Sequence, residues 1–136
     1  MFYKLKKLEK KSDDRGFLIE FLKHSEFLPS CRKKYGQSYL VTFKRKNKIR
    51  GNHYHKTRSE WFVLAQGSVE VKLKDLKTGR QIKIILDDKS QKYLKRLYIA
   101  PMVVHSFRSL EPHTMMLNYT DKEWRPDNED TYFYEL

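Results

Sequence analysis

Short runs in which apolar and polar residues alternate, each cut off by a turn signal, constrain this chain more than any other feature. Period-two alternation puts every other side chain on one face, which is the pattern of a half-buried strand. Residues 16–22, bounded by Asp13, Asp14 and Gly16, and residues 38–43 are two such β-rich runs, with a turn at Leu28, Pro29 and Ser30 between them. Residues 60–64 end at Gln66 and Gly67, and 68–73 alternate cleanly beyond, which predicts a hairpin around Gly67. Thr78 and Gly79 break the chain before 81–86, Asp87 and Asp88 begin another turn, and runs at 93–99, 103–107 and 114–119 complete the series. Pro101 and Pro112 belong at edges or connections. Helical periodicity is scarce, and no linker or repeat interrupts the pattern.

Many short strands at regular spacing argue for an all-β antiparallel sandwich or barrel and against a parallel α/β sheet. The chain has 136 residues, 39% of them hydrophobic, enough for one domain over 1–136 with a packed core. No stretch reaches the roughly 20 uncharged apolar residues of a membrane helix, and the N-terminus turns basic before any signal-peptide core, so a cytoplasmic protein is expected. The lone Cys31 cannot form an internal disulfide and reads as a buried or idle thiol. Lys+Arg 29 against Asp+Glu 17 gives a net charge of +12. These cations are scattered among apolar residues instead of forming one stripe or tail, so they read as solvated strand faces, and Lys44 to Lys48 as an exposed turn. Nucleic acid is therefore not the expected partner, although a nucleotide diphosphate would also feel the field.

The residues able to do chemistry are concentrated in one stretch. His53 and His55, two apart, face one side if they share a strand, and Glu60 can join them from the next. His105, entered from Pro101, can bring a third imidazole to the same interior. Three neutral nitrogens and one carboxylate oxygen suit a divalent transition metal such as zinc, iron, manganese or nickel. His24 and His113 stand in turn-like surroundings and read as solvated or structural. Phe17, Tyr39, Trp61, Phe62, Phe107 and Trp124 read as core or barrel lining, one of them available to stack on a base.

The pattern HxHx4Ex6G from His53 to Gly67, followed by Pro101 and His105, resembles the two metal-binding motifs of the cupin superfamily. The second motif is one residue shorter than PxGxxH and lacks its glycine. The resemblance implies an antiparallel double-stranded β-helix, the jelly-roll barrel. More narrowly, Asp14 to Phe17 with Glu20, and Ile49 to Tyr54, look like the dTDP-4-dehydrorhamnose 3,5-epimerase family. Arg50 to His55 with Glu60, joined to Pro126 through Tyr132, is more similar still to the zinc-binding cupin domain of bifunctional capsular-polysaccharide enzymes. Residues 98–105 echo the dTDP-sugar 3,4-ketoisomerases.

All three branches remove a proton next to a ketone, which needs a base and a group that stabilises the enolate oxygen. The resemblance thus implies an epimerase or isomerase of a nucleotide-diphosphate 4-keto-6-deoxy sugar, in surface-polysaccharide or glycan biosynthesis. A 3,4-ketoisomerase and a noncatalytic sugar- or nucleotide-binding cupin are the alternatives. His53 and His55 would be acid/base groups or metal ligands, and Glu60 and His105 would complete the metal site. Zinc is the favoured ion, with no cofactor as the alternative. Arg15 and Arg50 would hold the diphosphate, with Glu20 beside the substrate. The epimerases' catalytic tyrosine has no counterpart near Glu123 and Trp124, so Tyr119, Tyr54 or bound water would supply the acid. A homodimer is implied too.

Overall fold

The computed structural model describes residues 1–29 and 35–136; Cys31 and the last residue of the 28–30 turn lie outside them. Among the described residues twelve strands run β1 (Tyr3–Glu9), β2 (Lys11–Asp13), β3 (Gly16–Leu18), β4 (Gln37–Phe43), β5 (Ile49–Tyr54), β6 (Glu60–Gln66), β7 (Ser68–Asp75), β8 (Gln81–Asp87), β9 (Tyr93–Ile99), β10 (Val103–Ser109), β11 (Thr114–Thr120) and β12 (Tyr132–Phe133). A 3-10 turn at His24–Glu26 follows β3. None of these elements is a helix long and apolar enough to cross a membrane.

The strands form two five-stranded antiparallel sheets, β1-β9-β6-β11-β4 and β12-β5-β10-β7-β8, and a separate hairpin β2-β3. From β4 onward the chain repeatedly crosses between the two large sheets, which is the jelly-roll arrangement of a cupin. The expected hairpin at Gly67 is one of these crossings. β6 pairs with β9 and β11, whereas β7 pairs with β8 and β10. Alternation on both sides of a glycine reports two strands, but says nothing about whether they share a sheet. Gly67 turns the corner at φ +87°, and a Cβ there would meet Thr114 Oγ1 at 2.3 Å. The β7-β8 connection is a true hairpin, held by Asp75 accepting from Lys77 N and Thr78 Oγ1.

Phe62, Leu64, Val71, Leu97, Phe107 and Met116 meet between the sheets in the main apolar core. On β6 the residues of opposite parity, Trp61 and Val63, are equally buried. They are covered from outside by Ile19, Phe21, Leu22 and Phe27. This is why the expected strand over 16–22 stops at Leu18: the apolar residues beyond it lie across the outer face of the sheet instead of pairing in it. The buried Arg96 pins that cover by donating to the Phe21 carbonyl at 2.7 Å and to Glu26 at 2.9 Å, and Lys6 also pairs with Glu26.

Candidate metal centre and cavity

β5 and β10 lie side by side in one sheet, with β6 facing them from the other. His53 sits opposite His105 across the β5-β10 ladder, their ring centroids 4.6 Å apart. His55, just past the end of β5, completes a triangle, 5.0 Å from the His53 ring and 5.5 Å from that of His105. One nitrogen from each ring lies within 4.8 Å of the others. Glu60 opens β6 from the facing sheet, its Oε2 3.2 Å from His105 Nε2 and 3.5 Å from His55 Nε2. The structure thus brings together the four sequence-predicted donors, with His55, Glu60 and His105 each 5% exposed or less.

Second partners aim the rings. His55 Nδ1 lies 2.6 Å from the Asp130 carbonyl oxygen and His105 Nδ1 3.1 Å from that of Val103. A carbonyl only accepts, so each Nδ1 carries a proton, which leaves each Nε2 as the nitrogen that faces Glu60. Burial pushes the His53 pKa down to about 4, helped by the neighbouring imidazoles, so this ring is neutral at ordinary pH. Burial likewise lowers His105, whereas on His55 the desolvation is outweighed by Glu60 and the pKa rises. Burial opposes ionisation of Glu60, yet the surrounding imidazoles overcome it and hold the carboxyl at about 2.

Glu60 Oε2 is buried without a hydrogen bond of proper geometry. An ionised oxygen in that condition is costly unless a cation takes it up. The orphaned oxygen, beside three converging imidazoles, fits a divalent metal.

A one-residue bulge shapes the rest of the site. Between His105 and Ser106 the partner on β5 steps from His53 to Gly51, leaving Asn52 extra. Gly51 and Asn52 both have positive φ, +92° and +54°. Without the bulge, Arg50 and His53, three apart, would point to opposite faces; with it, both line one cavity. This cavity, about 180 Å³, has Tyr39, Arg50, His53, Glu60 and His105 on its polar side, over an apolar floor that includes Phe107 and Met116. Arg50 donates from Nε to the Thr42 carbonyl and lies over the Phe43 ring. Its terminal nitrogens have no partner among the described residues.

Tyr39 is the residue that sequence reasoning passed over as barrel lining. Its hydroxyl lies 3.4 Å from Glu60 Oε1, and burial followed by the Glu60 charge pushes its pKa well up, keeping it a neutral phenol. The available signal was parity: Tyr39 is in phase with Val41, which lines the same cavity.

Tyr119, Arg15, Glu20 and Tyr54 are not brought to this cavity. Tyr119 lies on the outer face of its sheet, stacked on Phe27 and accepting from Gly36 N–H. Its register partner is Trp61, of opposite parity to Glu60, so the pleat points it away from the histidines. Arg15, at the exposed tip of the β2-β3 hairpin, pairs with Asp13. Glu20 pairs with Lys11 and Lys23. Tyr54 also faces away, stacked on Tyr132. A larger cavity of about 390 Å³, walled by Lys6, Glu26, Trp61 and Arg96, holds none of the histidines.

Comparison with known proteins gives these features a context. The family model for the polysaccharide biosynthesis C-terminal domain matches residues 11–132. The spore coat polysaccharide biosynthesis protein SpsL of Bacillus subtilis is 30% identical over 133 residues, covering 93% of this chain and 83% of that protein. The capsular polysaccharide assembling protein CapF of Staphylococcus aureus superposes with a TM-score of 0.68 at 23% identity, over 95% of this chain and 34% of that one. The 3'-monoepimerase ChmJ of Streptomyces bikiniensis, solved with dTDP-quinovose, superposes with a TM-score of 0.78 at 16% identity, over 92% and 66%. Sugar 3,4-ketoisomerases share the fold as well. The present chain thus spans about a third of CapF and two thirds of ChmJ. With the family model spanning nearly its whole length and a relative at 30% identity covering most of both sequences, this chain belongs to the polysaccharide biosynthesis C-terminal domain family.

Proposed function

We propose that the protein is an epimerase or isomerase of a nucleotide-diphosphate 4-keto-6-deoxy sugar, moving a proton at a carbon next to the ketone. One observation carries the reading: neutral imidazoles, an ionised carboxylate and a phenol converge on one cavity beside a guanidinium whose terminal nitrogens are open. ChmJ, with the same fold, was solved with a dTDP-linked 6-deoxy sugar, which supports this ligand class.

In this reading His55, His105 and Glu60 hold zinc, because Glu60 touches both of those rings and the three are the most buried of the set. When bound, the metal supplies a Lewis acid that stabilises the developing enolate oxygen. His53, half-buried and not in ion-pair contact with Glu60, takes the C–H proton; its low pKa keeps it free to do so. Tyr39, which its surroundings keep protonated, is the hydroxyl placed in the cavity to return a proton to carbon or oxygen. Arg50 grips the diphosphate with its free fork. Arg15 and Glu20 lie away from the cavity, so in this reading they contribute only through the nucleotide end of the substrate. A second reading, favoured by the convergence of all three rings within 4.8 Å, makes His53 a fourth ligand and leaves Tyr39 as the proton-transfer group. Cytoplasmic location and a homodimer are part of the proposal. For the dimer, the uncharged edge strand β4 with exposed Leu40 offers a pairing surface.

Incubation with dTDP- and UDP-4-keto-6-deoxy sugars in deuterated water tests the chemistry. Deuterium at C3 or C5 is expected, and product analysis separates epimer from 3-keto isomer. Ligand binding without any exchange would establish the noncatalytic alternative. His53→Ala that keeps zinc but loses exchange makes His53 the base; loss of zinc makes it a ligand.

A further inference from the structure

The last stretch of chain closes on the strand that carries the histidines. β12 pairs with β5, Tyr132 opposite Tyr54 and Phe133 opposite His53. Tyr132 is held between the Tyr54 ring, at 5.3 Å, and the Lys56 ammonium, 4.1 Å from its centroid. Beyond it, Tyr134 N–H donates to the Asn52 carbonyl and Leu136 N–H to the Asn52 side chain, both at the bulge. Ahead of it, the buried Arg58 donates from Nη2 to the Glu129 carbonyl at 2.6 Å.

Asp130 is the centre of this closure. Its carboxylate accepts from Lys56 N–H at 2.9 Å, Thr57 N–H at 3.1 Å and Thr57 Oγ1 at 2.8 Å, tying it to the turn just after His55. Its backbone is left-handed, φ +47°, a conformation that costs a non-glycine residue energy unless its surroundings enforce it. That conformation carries the carbonyl that accepts from His55 Nδ1–H at 2.6 Å.

We propose that Asp130 is a positioning residue for His55: its carboxylate clamps the 129–131 backbone so that its own carbonyl fixes the His55 tautomer and turns Nε2 into the metal site. The carbonyl belongs to the main chain, so no substitution removes it, and the carboxylate acts only by placing it. Thr57 and Arg58 hold the two ends of the clamp. The role rests on the metal-site reading for its effect on affinity, but not for its effect on the tautomer.

The test uses full-length, metal-free, 15N-labelled protein at a pH where the imidazoles are neutral, followed by zinc titration against a chelating indicator. Long-range proton–nitrogen spectra are expected to show His55 protonated at Nδ1. Asp130→Gly accommodates the positive φ but lacks the carboxylate; it should give a mixture of His55 tautomers and a 10–100-fold loss of zinc affinity. Asp130→Asn, which keeps one accepting oxygen, should recover most of both, as a merely structural role would not require. Thr57→Val should show the same tautomer shift to a smaller degree. A wild-type His55 protonated at Nε2 overturns the proposal even if no variant folds. So does an Asp130→Gly protein with an unchanged tautomer and zinc affinity. If wild-type protein ignores zinc while keeping the Nδ1 proton, the metal reading falls, and the clamp stands or falls on the tautomer of Asp130→Gly.

Discussion

Glu60 is buried where the groups around it must carry its charge. It is an ionised group 2% exposed, stabilised by imidazoles and a phenol instead of by water. Glu60→Gln keeps the shape and removes the charge. Zinc affinity should fall at least tenfold in a competition titration, because an amide oxygen is a poor ligand beside neutral histidines. Thermal stability should change far less, since the lost counter-charge is offset by relief of the desolvation that charge imposed. His53, His55, Glu60 and His105 were legible as a set because period-two spacing and donor type both pointed the same way. Tyr39 was not. A tyrosine on an alternating strand has the same pattern whether it packs or points into a cavity, and nothing local separates the two. Tyr119 failed for the related reason that its parity is defined only relative to a neighbouring strand.

Two elements decide whether those side chains meet. The bulge in β5 depends on Gly51, where a Cβ would stand 2.6 Å from the His105 carbonyl oxygen at a φ that side chains rarely adopt. Gly51→Ala should cost on the order of 2 kcal/mol or more in denaturant unfolding. It should also weaken zinc binding, because relief of the clash pushes β5 off β10. On the opposite face, the cover over β6 is anchored by Glu26. Arg96 beside it, followed by Lys6, holds its carboxyl down to about 2 against the cost of burial. A depressed folded-state pKa means that this anchor contributes fully above the unfolded carboxyl range near 4.5 and is lost as pH falls toward 2. In thermal melts the wild-type advantage over Glu26→Gln should be constant above about pH 5.5 and shrink steadily below 4.5. Neither element was visible beforehand: the bulge is an excess of one residue relative to a partner strand far along the chain, and the cover was read as the continuation of a strand.

Across the whole molecule the field is positive, with a net charge of +12. A dianionic nucleotide diphosphate should be drawn to it, so the KM for such a substrate is expected to rise several-fold between low and physiological salt while kcat stays nearly constant. A KM indifferent to salt would mean that the lysines serve only the surface. The jelly roll itself illustrates how information is divided in this protein. The all-β class, the donor set and most strand positions from β4 to β11 follow from the order of side chains, because pleat and coordination chemistry are local properties of residue type and spacing; the basic strand β1 gave no such signal. The two sides of Gly67 separate into different sheets, Arg50 joins His53 on one wall, Tyr39 reaches Glu60 and Asp130 closes over His55 only when distant strands pair. Those outcomes depend on long-range register and on which face each strand buries, and both are settled by packing the whole core at once, not by any stretch of chain alone.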